Sequence, residues 1–181
     1  MAEFYQFYPN VVALIGSRHG DKTNLMPAVW QTGVSKDPMI YVVSVSPKRF
    51  THQLIKSSGV FSANFIDFKY LRTLVTLGSF SGRDRNKIKE TGIELKPSKQ
   101  LDVPVMKSAY AAFECSVQDI VSAGDHDLFI GKIVFIHESA DIQPGSGTIN
   151  CNTVKPILYL GNDMYVTLDP GSIVTIKRSR T

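Results

Sequence analysis

A long alternating segment in the second half of the chain restricts the fold more than any other feature. Between residues 109 and 120, apolar side chains occupy every second position, at Ala109, Ala111, Phe113, Cys115 and Val117. This period of two predicts a long strand with one buried face and one face in water. Gly124-Asp125-His126 predicts a turn, and residues 128–137 predict the partner strand. Because a turn this short joins antiparallel neighbours, we expect an antiparallel sheet.

Shorter strand-like segments occupy much of the remaining chain. We expect strands at residues 11–17, 24–26, 30–34, 40–46, 60–66, 157–160, 165–168 and 173–177. Turns or loops are expected at residues 18–23, 97–104 and 144–147, where glycine, proline and polar residues interrupt the apolar pattern. Many short strands joined by tight turns are typical of sandwiches and barrels.

Three short helices are expected among these strands. Residues 51–58 precede Gly59, which suits the left-handed position that ends a helix. Asp67 is expected to cap a second helix, whose apolar residues at helical spacing are Phe68, Leu71, Leu74 and Val75. A third helix is expected at residues 84–91, before Gly92. Since strands and helices do not alternate, we expect one mainly β domain over residues 1–181, an antiparallel barrel with short helices.

Composition excludes several classes of function. The net charge of +4 is too small to indicate a polyanion-binding surface, and the basic cluster Lys177, Arg178 and Arg180 is a short terminus. We therefore expect no DNA or RNA partner. No apolar run reaches the roughly 18 residues of a membrane span, and the N-terminus lacks a signal-peptide pattern. Cys115 and Cys151 suit buried thiols in a reducing cytoplasm, with a redox-active pair as the alternative.

Common catalytic and metal-binding motifs do not occur in the sequence. It contains no G-x-S-x-G, H-E-x-x-H, C-x-x-C or G-x-G-x-x-G. The histidines lack the spacing of metal ligands, so no metal site is expected; they are His19, His52, His126 and His137. A Ser-His-Asp triad assembled across the fold stays open, because such triads are recognised by geometry rather than by spacing.

Four turn-rich segments combine hydrogen-bond donors with neighbouring apolar strands. They are residues 24–30, 44–51, 79–87 and 124–126. The second joins hydroxyl groups and two cations, Lys48 and Arg49, to the start of the first expected helix. Hydroxyls, cations and free N–H groups at a helix N-terminus suit a phosphate dianion. The alternative is that Ser46 or Thr51 only caps the helix and that the cations are solvated.

In this order and spacing, the segments resemble the flavin reductase-like family, the FMN-binding split barrel, and particularly its flavoredoxin-type members. The resemblance runs from about Tyr8 to Tyr165. Its landmarks are Asn24 with Trp30, V-S-x-D-P at residues 34–38, Arg49-Phe50-Thr51 leading to Ile55, G-V-F-S-A-N at residues 59–64, Ser81-Gly82-Arg83-Asp84 with Lys87, and Gly124-Asp125-His126 before Phe129-Ile130-Gly131. Each landmark alone is weak, and their shared order carries the resemblance.

The resemblance implies a homodimer that binds FMN in a groove near the subunit interface. The cofactor-binding positions it implies are Asn24, Leu25, Met26, Trp30, Ser44, Ser46, Lys48, Arg49, Thr51, Asn64, Ser81, Arg83, Lys87, His126 and Tyr159. The segment from Ser46 to Thr51 matches the phosphate-binding positions. Trp30 matches a wall of the flavin site, with an ordinary core role as the alternative. His126 matches a position near the flavin ring, where it is the candidate catalytic residue; the alternative is a turn histidine.

The resemblance implies electron transfer, most simply NAD(P)H-dependent reduction of flavin, ferric iron or a redox protein partner. The first alternative is a flavoredoxin-like electron carrier that does not turn over NAD(P)H. A second is a binding module that stores or senses flavin without turnover. Reductase and carrier would share the same pocket residues, so the motifs do not separate them.

Overall fold

The computed structural model describes residues 5–143 and 147–176. Its strands are β1 (Asn10–Val11), β2 (Ala13–His19), β3 (Lys22–Ala28), β4 (Gln31–Lys36), β5 (Met39–Val45), β6 (Val60–Ile66), β7 (Leu95–Lys96), β8 (Val105–Met106), β9 (Ala109–Ala123), β10 (His126–Glu138), β11 (Leu158–Gly161) and β12 (Met164–Val166). Its α-helices are α1 (Phe50–Ser58), α2 (Leu71–Ser79) and α3 (Lys87–Thr91). The described residues contain no helix long and apolar enough to cross a membrane.

Seven strands form one antiparallel sheet in the order β3-β2-β6-β9-β10-β5-β4. The predicted long hairpin is its centre, since β9 and β10 pair from His126↔Ala123 to Glu138↔Ala111. β3 and β4 are consecutive in sequence but lie at opposite ends of the strand order, so the sheet must curve to bring its ends near one another. Two smaller sheets, β1-β11-β12 and β7-β8, lie beside it. The prediction of an antiparallel, mainly β fold is confirmed.

Both faces of the main sheet carry buried side chains. On β2, Ala13 and Ile15 join one apolar cluster, whereas Val12, just before the strand, and Leu14 join another. The inner cluster draws buried residues from six of the seven strands of the sheet and from Ile55 of α1. The outer cluster includes residues of α2 and of the segment before β9. The sheet therefore encloses one core and supports a second core on its outside.

The expected wet face of β9 is wrong in the first half of the strand, where Ala112 and Glu114 are fully buried, whereas Gln118 and Ile120, also expected on that face, are exposed. Residues 97–104, correctly predicted as a loop, cover this face. The Glu114 carboxylate accepts hydrogen bonds at 2.6–2.8 Å from the backbone N–H groups of Lys99, Gln100 and Leu101. It also lies 2.7 Å from Nε2 of His137. Burial alone would raise the pKa of Glu114, but these four hydrogen bonds lower it below its ordinary value.

The three predicted helices are present with shifted bounds. Gly59 ends α1 in the left-handed conformation, with φ of 71°. Asp67 accepts a hydrogen bond from the N–H of Lys69 at 3.0 Å, but it caps a short 3₁₀ turn that precedes α2. The third helix begins only at Lys87, because the side chain of Asn86 caps it.

The strand predicted at residues 173–177 is wrong where the structure describes it. Residues 173–176 form no strand, and Ile173, Val174 and Ile176 are 59%, 78% and 82% exposed. β-branched residues favour a strand only where a neighbouring strand offers pairing and burial. The basic cluster Lys177, Arg178 and Arg180 lies outside the described residues, and so do residues 144–146 of the predicted loop.

Candidate functional site

A groove opens where the two ends of the curved sheet approach each other. β3 is a terminal strand of the sheet. Near the end of β5, the N–H of Ser44 donates to the carbonyl of Trp30, which lies just after β3, at a distance of 2.9 Å. Two cavities of about 310 and 220 Å³ lie along this groove. They share Met26, Arg49 and Gly78, so they form one continuous depression. We name the larger the aromatic cavity and the smaller the cationic cavity.

The cationic cavity lies at the N-terminus of α1. Lys48, Arg49 and Lys87 contribute to its lining, together with the hydroxyl-bearing Thr51 and Ser81. Among the described residues, those that line it include no carboxylate. Arg49 occupies the N-cap position, and within the described residues no side chain caps the first N–H groups of the helix there. The N–H of His52 donates to the Arg49 carbonyl at 3.1 Å, so the helical N–H groups before it are the ones open to a ligand. Cations, hydroxyls and free helical N–H groups together form a site for an anion.

Asn24 links β3 to the first turn of α1 inside this cavity. Its Nδ2 donates to Oγ1 of Thr51 at 2.7 Å, which leaves the hydroxyl proton of Thr51 for another acceptor. Its Oδ1 is buried and has no hydrogen-bond partner within the described part of the chain. A Cβ atom at Gly82 would lie only 2.1 Å from this oxygen, so only glycine lets the loop approach so closely.

Lys87 is a buried cation in the same cavity, with 3% of its surface exposed. Its ammonium donates to the carbonyl of Leu77, near the end of α2, and to that of Leu25 on β3 at 3.4 Å. The ammonium also lies 5.5 Å from the centre of the Phe80 ring. Burial, together with the nearby charge of Arg49, lowers the pKa of Lys87 to about 8. A bound anion would supply the negative charge that this cation lacks.

The aromatic cavity is lined by Trp30 and His126, whose ring centres lie 4.9 Å apart at an interplanar angle of 59°. Ser44 and Ser46 add hydroxyl groups to its wall. Nδ1 of His126 lies 2.8 Å from the exposed carboxylate of Asp125, and this hydrogen bond holds the pKa of Asp125 below its ordinary value. The cavity therefore offers aromatic walls with a few polar groups, the usual make-up of a site for a flat organic ring.

The structure brings most of the predicted site residues to this groove. Those that line it are Asn24, Met26, Trp30, Ser44, Ser46, Lys48, Arg49, Thr51, Ser81, Lys87 and His126. The guanidinium of Arg83 lies just outside the lining, 5.9 Å from the centre of the Phe50 ring. The Leu25 side chain belongs to the outer cluster, and only its carbonyl reaches Lys87.

Asn64 and Tyr159 do not reach the groove. Asn64 is fully buried in the sheet, where its Nδ2 donates to the Leu14 carbonyl at 3.1 Å and its Oδ1 accepts from the N–H of Met106 at 2.8 Å. Its amide is thus occupied by structural hydrogen bonds. Tyr159 packs its ring on Tyr8, with ring centres 5.9 Å apart.

Sequence reasoning missed the two glycines that shape the groove. The resemblance includes Gly82 in one of its landmark segments but implies no role for it in the site. Gly78 lies in α2, lines both cavities and packs closely on Pro27, since a Cβ atom there would lie 3.0 Å from the Pro27 ring. A glycine inside a helical pattern is itself a signal of close approach, and this signal was available in the sequence.

Comparisons with known proteins agree with this geometry. The flavin reductase-like domain matches residues 4–169. An uncharacterized protein of Pyrococcus abyssi is 40% identical over 160 residues, covering 88% of this chain and 92% of its own length. A protein of Aeropyrum pernix is 32% identical over 93% of this chain, and the chain spans 62% of that relative's length. The NADH-dependent flavin reductase StyB of Pseudomonas fluorescens is 26% identical over 81% of this chain and 73% of its own length.

Solved structures show the same architecture. The FMN-binding protein of Thermus thermophilus, with bound 1-cyclohex-2-enone, superposes with a TM-score of 0.87 at 35% identity, covering 97% of this chain and 95% of that protein. A flavoredoxin of Methanosarcina acetivorans superposes with a TM-score of 0.86 at 23% identity, covering 98% and 94%, a likeness that concerns the fold alone. The predicted split β-barrel is confirmed. From the extent of the domain match, the chain belongs to the flavin reductase-like family.

Proposed function

We propose that this chain binds FMN along the groove and acts as an NAD(P)H-dependent flavin oxidoreductase. The observation that carries the proposal is the cationic cavity at the uncapped start of α1, continuous with a cavity walled by Trp30 and His126. FMN carries a phosphate dianion, a polyhydroxylated chain and a flat ring system in that order. The cationic cavity suits the phosphate and the aromatic cavity suits the ring system, and Met26, Arg49 and Gly78, which line both cavities, lie where the linking chain would pass.

The residues of the cationic cavity fit a phosphate. Arg49, Lys48 and Lys87 supply positive charge, and Thr51 has a hydroxyl proton to donate. The buried Oδ1 of Asn24, which lacks a partner among the described residues, would oppose a phosphate but suits a hydroxyl donor of the neighbouring ribityl chain. The residue set therefore fits FMN better than it fits an inorganic phosphate alone.

The aromatic cavity fits the ring system. Trp30 offers an indole face for offset contact with a flat ring, and Ser44, Ser46 and His126 offer polar groups at its edge. FMN, when bound, supplies the hydride and electron chemistry, while the protein binds, orients and tunes the cofactor. His126 would hold a proton at the edge of the ring, oriented by the carboxylate of Asp125 at 2.8 Å.

The donor and the acceptor are parts of the same proposal. The kinship with StyB, an NADH-dependent flavin reductase, supports a nicotinamide donor. The proposed electron acceptors are free flavin, ferric iron and a redox protein. Because the Thermus thermophilus protein has a bound enone, a small unsaturated ketone is a further acceptor to test. The alternative of a flavoredoxin-like carrier is supported by likeness to flavoredoxins in fold alone.

Titration with FMN, followed by the loss of flavin fluorescence, tests the binding site. Arg49→Ala and Thr51→Val should each weaken FMN binding by about ten- to one hundredfold, since hydrogen bonds to charged groups contribute about 1.5–3 kcal/mol. Lys132→Ala removes an exposed cation outside the groove and should leave the affinity unchanged. Equal affinity in all three variants, or a chain that takes up no FMN, would reject the proposed site.

Anaerobic mixing of the FMN-loaded protein with NADH or NADPH separates a reductase from a carrier. Rapid bleaching of the flavin absorbance by either nucleotide is the result expected for the reductase. Bleaching by a reduced ferredoxin-like protein, with no response to either nucleotide, would instead support the carrier. A site that binds FMN without any redox turnover would leave storage or sensing as the function.

The proposed assembly is a homodimer in the cytoplasm with FMN near the subunit interface. The groove is open on the single chain, which leaves room for a second copy to complete it. Light scattering at micromolar concentration should give twice the mass of the 20.1 kDa chain. A monomer that still retains FMN would contradict a shared interface site.

A further inference from the structure

An aromatic cluster connects the start of the chain to the groove. Its members are Tyr5, Phe7, Tyr8, Tyr159 and Tyr165. The rings of Tyr5 and Tyr8 stack with centres 5.3 Å apart, and the Tyr8 ring centre lies 5.9 Å from that of Tyr159 on β11. The segment before β1 is thus held on the small β1-β11-β12 sheet by ring contacts.

The small sheet has a recess at Gly161 that accommodates the ring of Tyr5. Gly161, at the end of β11, has a φ of 100°, and a Cβ atom there would lie 2.6 Å from the Tyr5 ring. A side chain at this position would be strained and would collide with the ring. Tyr5 therefore fits a specific recess, and this contact fixes where Tyr8 stands three residues later.

Tyr8 in turn contacts a wall of the aromatic cavity. The indole Nε1–H of Trp30 donates to the hydroxyl oxygen of Tyr8 at 2.8 Å. Indole nitrogen is only a donor, so this bond fixes the direction in which the N–H edge of Trp30 points. On the cavity side, the Trp30 ring lies against His126, with ring centres 4.9 Å apart. Trp30 is thus held by Tyr8 at its N–H edge and by His126 beside the cavity.

We propose that Tyr8 is a positioning residue, which sets the orientation of the Trp30 indole for contact with the flavin ring. The inference rests on the proposed binding of FMN and deepens it. Tyr8 does not line either cavity, so its effect on the cofactor would pass through Trp30. The aromatic cluster, which lines neither cavity, would then determine how well one wall of the flavin site is formed.

The single tryptophan of the chain makes this orientation measurable. Tyr8→Phe keeps the ring but removes the acceptor of the indole N–H. Trp30 fluorescence, excited at wavelengths where tyrosine does not absorb, should change in the protein without added FMN, because it reports the surroundings of Trp30 alone. The tryptophan bands at the long-wavelength end of the near-ultraviolet circular dichroism should change as well. Tyr165→Phe removes a hydroxyl from the far side of the same cluster and should leave the Trp30 emission as in the parent protein.

FMN titration then tests the effect on the site. Tyr8→Phe should raise the dissociation constant about three- to tenfold, as expected when one hydrogen bond no longer preorganises a binding wall. In a chain that already carries Trp30→Phe, adding Tyr8→Phe should cause no further loss, because the residue through which it acts is gone. Thermal unfolding followed by far-ultraviolet circular dichroism verifies that each variant is folded.

The outcomes separate the inference from the function on which it rests. If the parent protein binds FMN and Tyr8→Phe binds it equally well, the positioning role is overturned while the proposed function stands. The same holds if Tyr8→Phe weakens binding by the same factor with and without Trp30. If the parent takes up no FMN, both proposals fail, whatever the emission of Trp30 shows.

Discussion

The affinity for FMN should fall in alkaline solution because Lys87 loses its proton. This buried ammonium lines the cationic cavity, and burial with the nearby charge of Arg49 lowers its pKa to about 8. A phosphate dianion beside it would favour the charged form and return the pKa toward its ordinary value of 10.5. Binding of FMN above pH 8 would therefore require the uptake of a proton by Lys87.

The size of the effect follows from these two pKa values. At pH 7 the free protein already carries most of the charge on Lys87, whereas at pH 9 about nine tenths of the molecules have lost it. If only the charged form binds well, the dissociation constant rises about tenfold between pH 7 and pH 9, or about 1.4 kcal/mol. The phosphate does not contribute to this change, because its second pKa of about 6 keeps it a dianion throughout.

Fluorescence titration of FMN at a series of pH values measures this slope. Lys87→Met, with a side chain of similar length and no charge, should bind FMN more weakly at pH 7 and show little change up to pH 9. Circular dichroism shows whether the variant is folded after the Leu77 and Leu25 carbonyls lose their donor. An affinity that is constant with pH in the parent chain, or an equal slope in Lys87→Met, would refute the role of Lys87.

Three further outcomes are expected. Glu114→Gln should lower the free energy of unfolding in urea by about 2 kcal/mol, since an amide cannot replace a carboxylate as a four-fold acceptor, whereas Glu94→Gln at an exposed ion pair should cost less than about 1 kcal/mol. Because native contacts lower the pKa of Glu114, its carboxylate stabilises the fold above the ordinary value of 4.5. This contribution should be lost as the pH falls below 4.5. The difference in the free energy of unfolding between the parent and Glu114→Gln should therefore be smaller in acid than at neutral pH. Gly82→Ala should weaken FMN binding, since its Cβ would lie 2.1 Å from Asn24 Oδ1, whereas Gly33→Ala, with open space around it, should not.

The long hairpin was predictable because its signal is local. Alternating apolar residues and the Gly124 turn identify β9, β10 and their antiparallel pairing without any knowledge of the rest of the chain. The burial of Glu114 was not predictable in the same way. It depends on the loop at residues 97–104, whose backbone N–H groups donate to the Glu114 side chain. No pattern in the strand itself indicates which segment of the chain will cover this residue.

The site was predictable only in part for a similar reason. Composition and spacing showed turns with cations and hydroxyls, but the proximity of Asn24, Thr51 and Lys87 depends on the order of the strands. The family resemblance implied that these residues lie together around a cofactor. It also implied Asn64 as a cofactor-binding residue, whereas the Asn64 amide makes structural hydrogen bonds inside the sheet. The contact between Tyr8 and Trp30 had no sequence signal, because it joins segments 22 residues apart.

The position of β3 as a terminal strand of the main sheet has a consequence for how the protein behaves in a crowded solution. An unpaired strand edge invites the strand of another molecule and so promotes aggregation. Here Pro27 has no N–H to offer at that edge, and the buried ammonium of Lys87 occupies the Leu25 carbonyl. The groups that shape the groove therefore also protect the edge of β3 against pairing with a strand of another molecule. Substitutions made in the groove to alter ligand preference should be screened for increased aggregation as well.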